Sequence, residues 1–302
     1  MYICRVMFSL PSHLEMEARW QKPVSNSGIQ CLLCPHLCIL KPGQEGICRT
    51  RINSDNKIRV PGYGRLCSMA IDPIEKKPLY HFHPGKMIFS VATTGCNFRC
   101  QNCQNWSISQ FATDEISCDI ISPEQLVELT IRHQCPMIAF TYTEPTVFYE
   151  YMYDSSQLAK KAGIKTVMVS NGYINSEPLQ ELIPLLDAAN IDLKVMDETI
   201  YRSLTGGHLQ PVLNTLLGLN QSGVWLEITN LLIPGLTDTP ALVEKLCNWL
   251  ITNGLQEVPL HFSRFFPRYK MQNYPATSVE SVYRAVQIAR LAGIRYVYGG
   301  NI

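Results

Sequence analysis

Met87-Ile88-Phe89-Ser90-Val91-Ala92, followed at once by Thr93-Thr94-Gly95-Cys96-Asn97-Phe98-Arg99-Cys100-Gln101-Asn102-Cys103, settles the architecture of this chain. The first six residues are a short apolar run that reads as a strand. No G-x-G-x-x-G turn follows it, so a dinucleotide-binding fingerprint is missing. A loop spaced C-x3-C-x2-C stands there instead, at the C-terminal end of the strand, where barrel active sites assemble.

Outward from that loop, apolar runs alternate with amphipathic segments. Further strands are predicted at 137–142, 165–170, 191–195, 224–232 and 259–263, and helices at 123–133, 146–162, 178–188, 210–221, 240–253 and 278–291. Leu242, Leu246, Trp249 and Leu250 recur at helical spacing, as do Val279, Val282, Val286 and Ala289. Several helices start with Pro in the first turn after Ser, Glu or Thr. Such alternation implies crossovers and a parallel sheet. Six repeats over about 210 residues fit an α/β fold of the partial (β/α)6-barrel type better than the eight units of a full barrel. Residues 1–85 read differently, with turn signals at Lys41-Pro42-Gly43 and Pro61-Gly62-Tyr63-Gly64, as a Cys-rich, loop-dominated extension ahead of the barrel at 86–302.

The chain has 302 residues and a formal charge of +1, which gives no electrostatic reason to expect nucleic acid or a membrane surface. No run approaches the ~18 apolar residues of a membrane span. The opening stretch, MYICRVMFSL ahead of Pro11 and His13, reads as too weak for a secretory signal. Twelve cysteines are the anomaly: Cys31, Cys34, Cys38 and Cys48 form one set, Cys96, Cys100 and Cys103 another, and five are scattered. Without an export signal, and in a long α/β chain, close-set thiols point to metal in a reducing cytoplasm rather than to disulfides.

Three thiolates on one loop suit an iron–sulfur cube and leave one iron open for a substrate or cofactor. A zinc site short of its fourth ligand, or three unconnected buried cysteines, are the alternatives. On another strand, Asp192-Leu193-Lys194 sends two opposite charges to one face, costly unless they pair or bind a ligand.

The cysteine loop and its position resemble the radical S-adenosylmethionine (SAM) enzymes. That resemblance implies that Cys96, Cys100 and Cys103 hold a [4Fe-4S] cluster whose open iron SAM chelates. Reductive cleavage would then yield a 5′-deoxyadenosyl radical that abstracts hydrogen from a substrate. Thr141-Tyr142-Thr143-Glu144 stands where the family has its Gly-Gly-Glu segment, so Thr143 and Glu144 are expected beside the SAM methionyl group; favouring the next helix start is the plainer role for Glu144. Ser170 and Asn171 are expected at the ribose, although Asn171-Gly172 is also an ordinary turn. Asp192 and Lys194 are expected at the SAM carboxylate and ribose, as in glycyl-radical activating enzymes; a mutual salt bridge is the alternative. Asn102 replaces the aromatic residue before the third cysteine, which leaves adenine stacking to Trp106 or Phe98. The turn Ile233-Pro234-Gly235-Leu236-Thr237-Asp238 matches the one beside adenine, and His261 is the weaker choice for a cavity-facing contact.

Asp72-Pro73-Ile74-Glu75-Lys76-Lys77-Pro78-Leu79-Tyr80-His81-Phe82 and Gln104-Asn105-Trp106-Ser107-Ile108-Ser109-Gln110 resemble the branch of pyruvate formate-lyase activase. Within it, Cys31-Leu32-Leu33-Cys34-Pro35-His36-Leu37-Cys38, Gly46-Ile47-Cys48-Arg49 and Tyr296-Val297-Tyr298-Gly299-Gly300-Asn301 resemble the AmmeMemoRadiSam-system enzymes, named for AMMECR1-like and Memo-like proteins. This implies an external one-electron donor, flavodoxin or ferredoxin, and those two proteins or a glycyl-radical enzyme as partners. Spacing leaves Cys31, Cys34, Cys38 and Cys48 open between a structural zinc site, an auxiliary iron–sulfur cluster and unligated thiols. Cys4, Cys67, Cys118, Cys135 and Cys247 read as ordinary buried small residues. Three functions compete: a radical SAM enzyme on an unnamed substrate, a glycyl-radical activase, and a non-catalytic metal scaffold.

Overall fold

The computed structural model describes residues 16–24 and 28–302; Cys4 and the opening stretch lie outside them. An eight-stranded sheet carries the molecule. Its strands are β1 (Ser68–Pro73), β2 (Met87–Ala92), β3 (Met137–Phe140), β4 (Lys165–Ser170), β5 (Ala188–Asp192), β6 (Trp225–Leu232), β7 (Leu260–Arg264) and β8 (Val297–Gly300). They lie side by side in chain order. Only β1 runs antiparallel to its neighbour; from β2 to β8 the pairing is parallel. The expected partial barrel is present, with a further parallel strand, β8, after the last helix.

Helices α1 (Pro123–Arg132), α2 (Tyr149–Lys161), α3 (Ser176–Leu182), α4 (Glu198–Thr205), α5 (Leu209–Ser222), α6 (Pro240–Thr252) and α7 (Val279–Ala292) lie in the connections. Local chemistry explains where they begin. Ser122 accepts from the Gln125 N–H while the Gln125 side chain accepts from Ser122 N, a reciprocal cap with Pro123 in the first turn. Leu246 and Leu250 of α6 are buried as their spacing predicts, each worth about 1.5–3 kcal/mol. All four residues of β3 are buried, as a parallel strand covered on both faces requires.

Two readings of the sequence needed correction. The strand expected at 191–195 is β5 at Ala188–Asp192; Ala188 and Ala189 resemble a helix end, and pairing with β4 and β6 makes them strand. Helix α4 was not foreseen, although Asp197 caps it by accepting from Ile200 N and Gly206 ends it in the left-handed region. Those two residues were the available signal.

The extension contains short antiparallel sheets, among them Gln21–Val24 with Gly28–Cys31 and Ile39–Leu40, and Met16–Glu17 with Lys57–Val60 and Ile52–Ser54. Its last strand, β1, belongs to the main sheet. The loop from β1 to β2 turns in at the N-terminal end of the barrel. Pro78 O accepts from Asn190 Nδ2 at 2.8 Å, and the Tyr80 and His81 N–H groups donate to Glu227 at 3.0 and 2.8 Å.

Candidate active site

The cysteine loop is held by backbone hydrogen bonds. Arg99 N and Gln101 N donate to Thr205 O and Leu204 O at 2.7 and 3.0 Å, which satisfies carbonyls that the C-terminus of α4 leaves free. Gly95 has φ +87°, and a Cβ there would meet the Cys48 carbonyl oxygen at 2.7 Å. The loop therefore fits only because this position is glycine. Thr143 ties the neighbouring strand end to it, its Oγ1 donating to Thr93 O at 2.8 Å.

Glu144 is the centre of the pocket, buried to 1% exposure. Its carboxylate accepts from Thr146 N (2.9 Å), Ser170 Oγ (2.7 Å) and Asn171 N (2.8 Å). Burial raises its pKa above the ordinary value, against the pull of those hydrogen bonds. The capping role is real, since Thr146 N opens the next turn, yet no lysine or arginine is among these donors. Asn171 Nδ2 lies 2.8 Å from Asn97 Oδ1 and 3.8 Å from Cys96 Sγ. Glu144, Ser170, Asn171 and Cys96 thus form one connected group.

Lys194 and Asp192 close the opposite side. Their side chains pair at 2.6 Å, as the salt-bridge alternative anticipated. Burial works against the Lys194 ammonium, but Asp192, Cys100 and Cys103 outweigh it and hold the group charged. Lys194 is therefore a cation in electrostatic reach of two of the three cysteines that the spacing selected.

The residues fit a cluster with SAM bound to it. Burial pushes the bare Cys100 thiol up to about 12, and Cys96 rises too, with Glu144 adding to it. A buried thiolate set of this kind needs the positive charge of iron. Two polar atoms are buried here without a protein partner, Asn102 Oδ1 and the Tyr201 hydroxyl. Tyr201 lies in electrostatic reach of Cys100, Asp192 and Glu144. SAM offers the hydroxyl and amine groups such atoms require. Tyr201 escaped the sequence reading because α4 did.

Other expected residues are placed elsewhere. Phe98 is core, packed on Tyr173 and Tyr201 with ring centroids 4.9 and 6.0 Å apart, so it has no face for adenine. Trp106 is already stacked on Tyr269, 5.4 Å away at 12°. His261 Nε2 lies 2.6 Å from Glu227 Oε2, with Tyr80 edge-on at 4.6 Å. It belongs to the layer that meets the loop at the barrel's N-terminal end, and it is not gathered with Glu144 and the cysteines. Tyr142 occupies the left-handed region at φ +63°, where glycine is favoured. Its hydroxyl donates to Asp72 at 2.5 Å, and Lys77 Nζ lies 3.2 Å away. The buried Asp72–Lys77 pair anchors the strained residue.

Comparison with known proteins gives the same direction. The family model described as the radical SAM superfamily matches residues 90–250. The uncharacterized protein MJ0808 of Methanocaldococcus jannaschii is 44% identical over 286 residues, covering 95% of this chain and 85% of the relative. The pyruvate formate-lyase-activating enzyme of Clostridium pasteurianum is 25% identical, over 51% of this chain and 65% of that enzyme. Among solved structures, a radical SAM methyltransferase from Sphaerobacter thermophilus superposes with a TM-score of 0.55 at 16% identity, covering 73% of this chain and 68% of that one. That last likeness concerns the fold.

Proposed function

The chain belongs to the radical SAM superfamily, and from that premise we propose that its pocket binds SAM against a [4Fe-4S] cluster to remove a hydrogen atom from a substrate. The family implies the cluster and SAM; the substrate is unidentified. When bound, cluster and SAM together supply reductive cleavage of the sulfonium to methionine and a 5′-deoxyadenosyl radical. Cys96, Cys100 and Cys103 would hold the cluster. Glu144 takes the SAM ammonium, and this carries the reading: a fully buried carboxylate with three hydrogen bonds and no cationic side chain among its donors. Lys194 faces the SAM carboxylate, and Asp192 keeps its ammonium in place. Ser170 and Asn171 position Glu144, while Asn102 and Tyr201 offer their free polar atoms to SAM. The loop at the barrel's N-terminal end excludes water from below.

The narrower reading is activation of a partner protein at a glycine. It is favoured by the likeness to the pyruvate formate-lyase-activating enzyme and by 26% identity over 53% of the chain to a putative glycyl-radical enzyme activating enzyme of Methanocaldococcus jannaschii. Under either reading a one-electron donor of the flavodoxin or ferredoxin class delivers the electron. AMMECR1-like and Memo-like proteins are proposed partners on the motif resemblance alone.

The test is anaerobic reconstitution with iron and sulfide, then dithionite, SAM and quantification of 5′-deoxyadenosine. Wild type is expected to form it and Cys100→Ala to fall to background. A fully loaded wild-type cluster that never cleaves SAM sinks the proposal. Deuterium transfer into 5′-deoxyadenosine, from a labelled small molecule or a glycine-labelled partner, then separates the two readings.

A further inference from the structure

Cys31, Cys34, Cys38 and Cys48 all line one cavity, together with Leu33, Leu40 and Arg51. Two turns deliver them. Leu37 N donates to Cys34 O at 3.0 Å, and Arg49 N to Gly46 O at 2.9 Å.

The sulfur of Cys48 is an acceptor: Thr50 Oγ1 donates to it at 3.4 Å. Cys96 on the barrel loop likewise accepts from Phe98 N at 3.3 Å. Scattered cysteines do the opposite: Cys67, Cys118 and Cys135 donate to the carbonyls of Ala92, Ile116 and His133. Donors aimed at sulfur suit thiolates bound to metal, whereas a sulfur donating to a carbonyl is a thiol.

Arg51 is the second, independent observation. It is 2% exposed, and its Nη2 pairs with Glu150 at 2.6 Å. Its Nε and Nη1 are buried without a partner, and Cys31 and Cys48 are in electrostatic reach. A buried guanidinium with two free donors on a cavity walled by four cysteines calls for an anion with acceptor atoms.

We propose that Cys31, Cys34, Cys38 and Cys48 hold a second [4Fe-4S] cluster, closed by four protein thiolates and facing Arg51. The choice over zinc rests on the spacing of the thiols and on acceptor atoms. Among the described residues no three Cys, His, Asp or Glu side chains converge on a single ion, whereas a cube takes one thiolate at each well-separated corner. Its sulfides also offer Arg51 acceptor atoms beyond the four thiolates, which a zinc ion does not. Asn97 and Thr146 are shared walls, so this second site backs directly onto the loop of Cys96.

Iron, acid-labile sulfide and zinc are counted on the full chain, prepared anaerobically. Wild type is expected to carry roughly eight irons, and the triple variant Cys96→Ala/Cys100→Ala/Cys103→Ala roughly four with matching sulfide. The triple variant's reduced electron paramagnetic resonance signal should not respond to added SAM. Cys31→Ala/Cys34→Ala should also fall to roughly four irons and keep a SAM-responsive signal. A reconstituted wild type with only about four irons, or a triple variant with zinc and no sulfide, overturns the proposal. If either variant fails to fold, the wild-type count decides. The outcome is separable from the proposed function: a chain with both clusters that never cleaves SAM defeats that reading and leaves this one standing.

Discussion

In the extension four cysteines face a cavity with a buried arginine; on the barrel loop three cysteines face a buried carboxylate. Both regions present a sulfur to a hydrogen-bond donor, Thr50 Oγ1 to Cys48 and Phe98 N to Cys96. They differ in what completes them. Four thiolates can close a cube with no outside ligand, whereas three thiolates beside Glu144 leave one corner and one charge unanswered. A pocket with an unmet requirement binds something that comes and goes, and a satisfied one serves structure or electron storage.

The strongest way to break this contrast is to remove one cysteine from each side. Cys100→Ala is expected to abolish 5′-deoxyadenosine formation, while Cys34→Ala keeps SAM binding, read by the spectral response of the remaining cluster. Equal loss of SAM response in both variants would erase the distinction between an open and a closed site. Next in size is the arginine. Arg51→Met leaves Glu150 buried without its partner and should cost about 3–5 kcal/mol, measured by anaerobic denaturant unfolding, with Arg51→Met/Glu150→Leu recovering much of it.

Glu144→Gln keeps the shape and removes the charge. Losing a charge-assisted hydrogen bond of about 1.5–3 kcal/mol should weaken SAM binding roughly ten- to a hundred-fold, checked by equilibrium dialysis. The pH dependence has a definite sign. Glu144 in the SAM-free protein has a raised pKa, so its carboxylate is neutralised as pH falls, beginning above the ordinary carboxyl range. SAM affinity should drop on that acid side and hold above it, and Glu144→Gln should lose the acid limb. The smallest effect belongs to the scattered thiols: Cys118→Ser should leave the iron count unchanged, and a loss of iron would show that thiol and thiolate cysteines had been wrongly separated.

Much of this was legible in the residues. β2 and β4 fall where the apolar runs lie, because the middle of a strand covered on both faces is mostly apolar. The cysteine loop and Glu144 could be read because ligand chemistry restricts residue type and spacing. What escaped depended on partners far away in the chain. Arg51 reads as an ordinary basic residue until Glu150 lies 2.6 Å from it. His261 could face SAM or the barrel floor, and Glu227 together with the Tyr80–His81 backbone decides for the floor. Phe98 is aromatic next to the cysteines, yet it is buried in the core against Tyr173 and Tyr201.

The sequence alone determined the barrel class and the close setting of Cys96, Cys100 and Cys103 on one loop, since periodicity and spacing are local properties. Tertiary structure alone decided that Cys31, Cys34, Cys38 and Cys48 share one cavity, that an arginine with two free donors stands on it, and that this cavity adjoins the loop of Cys96. Burial, and with it the cost of an unpaired charge, is set by segments that meet only when the chain folds.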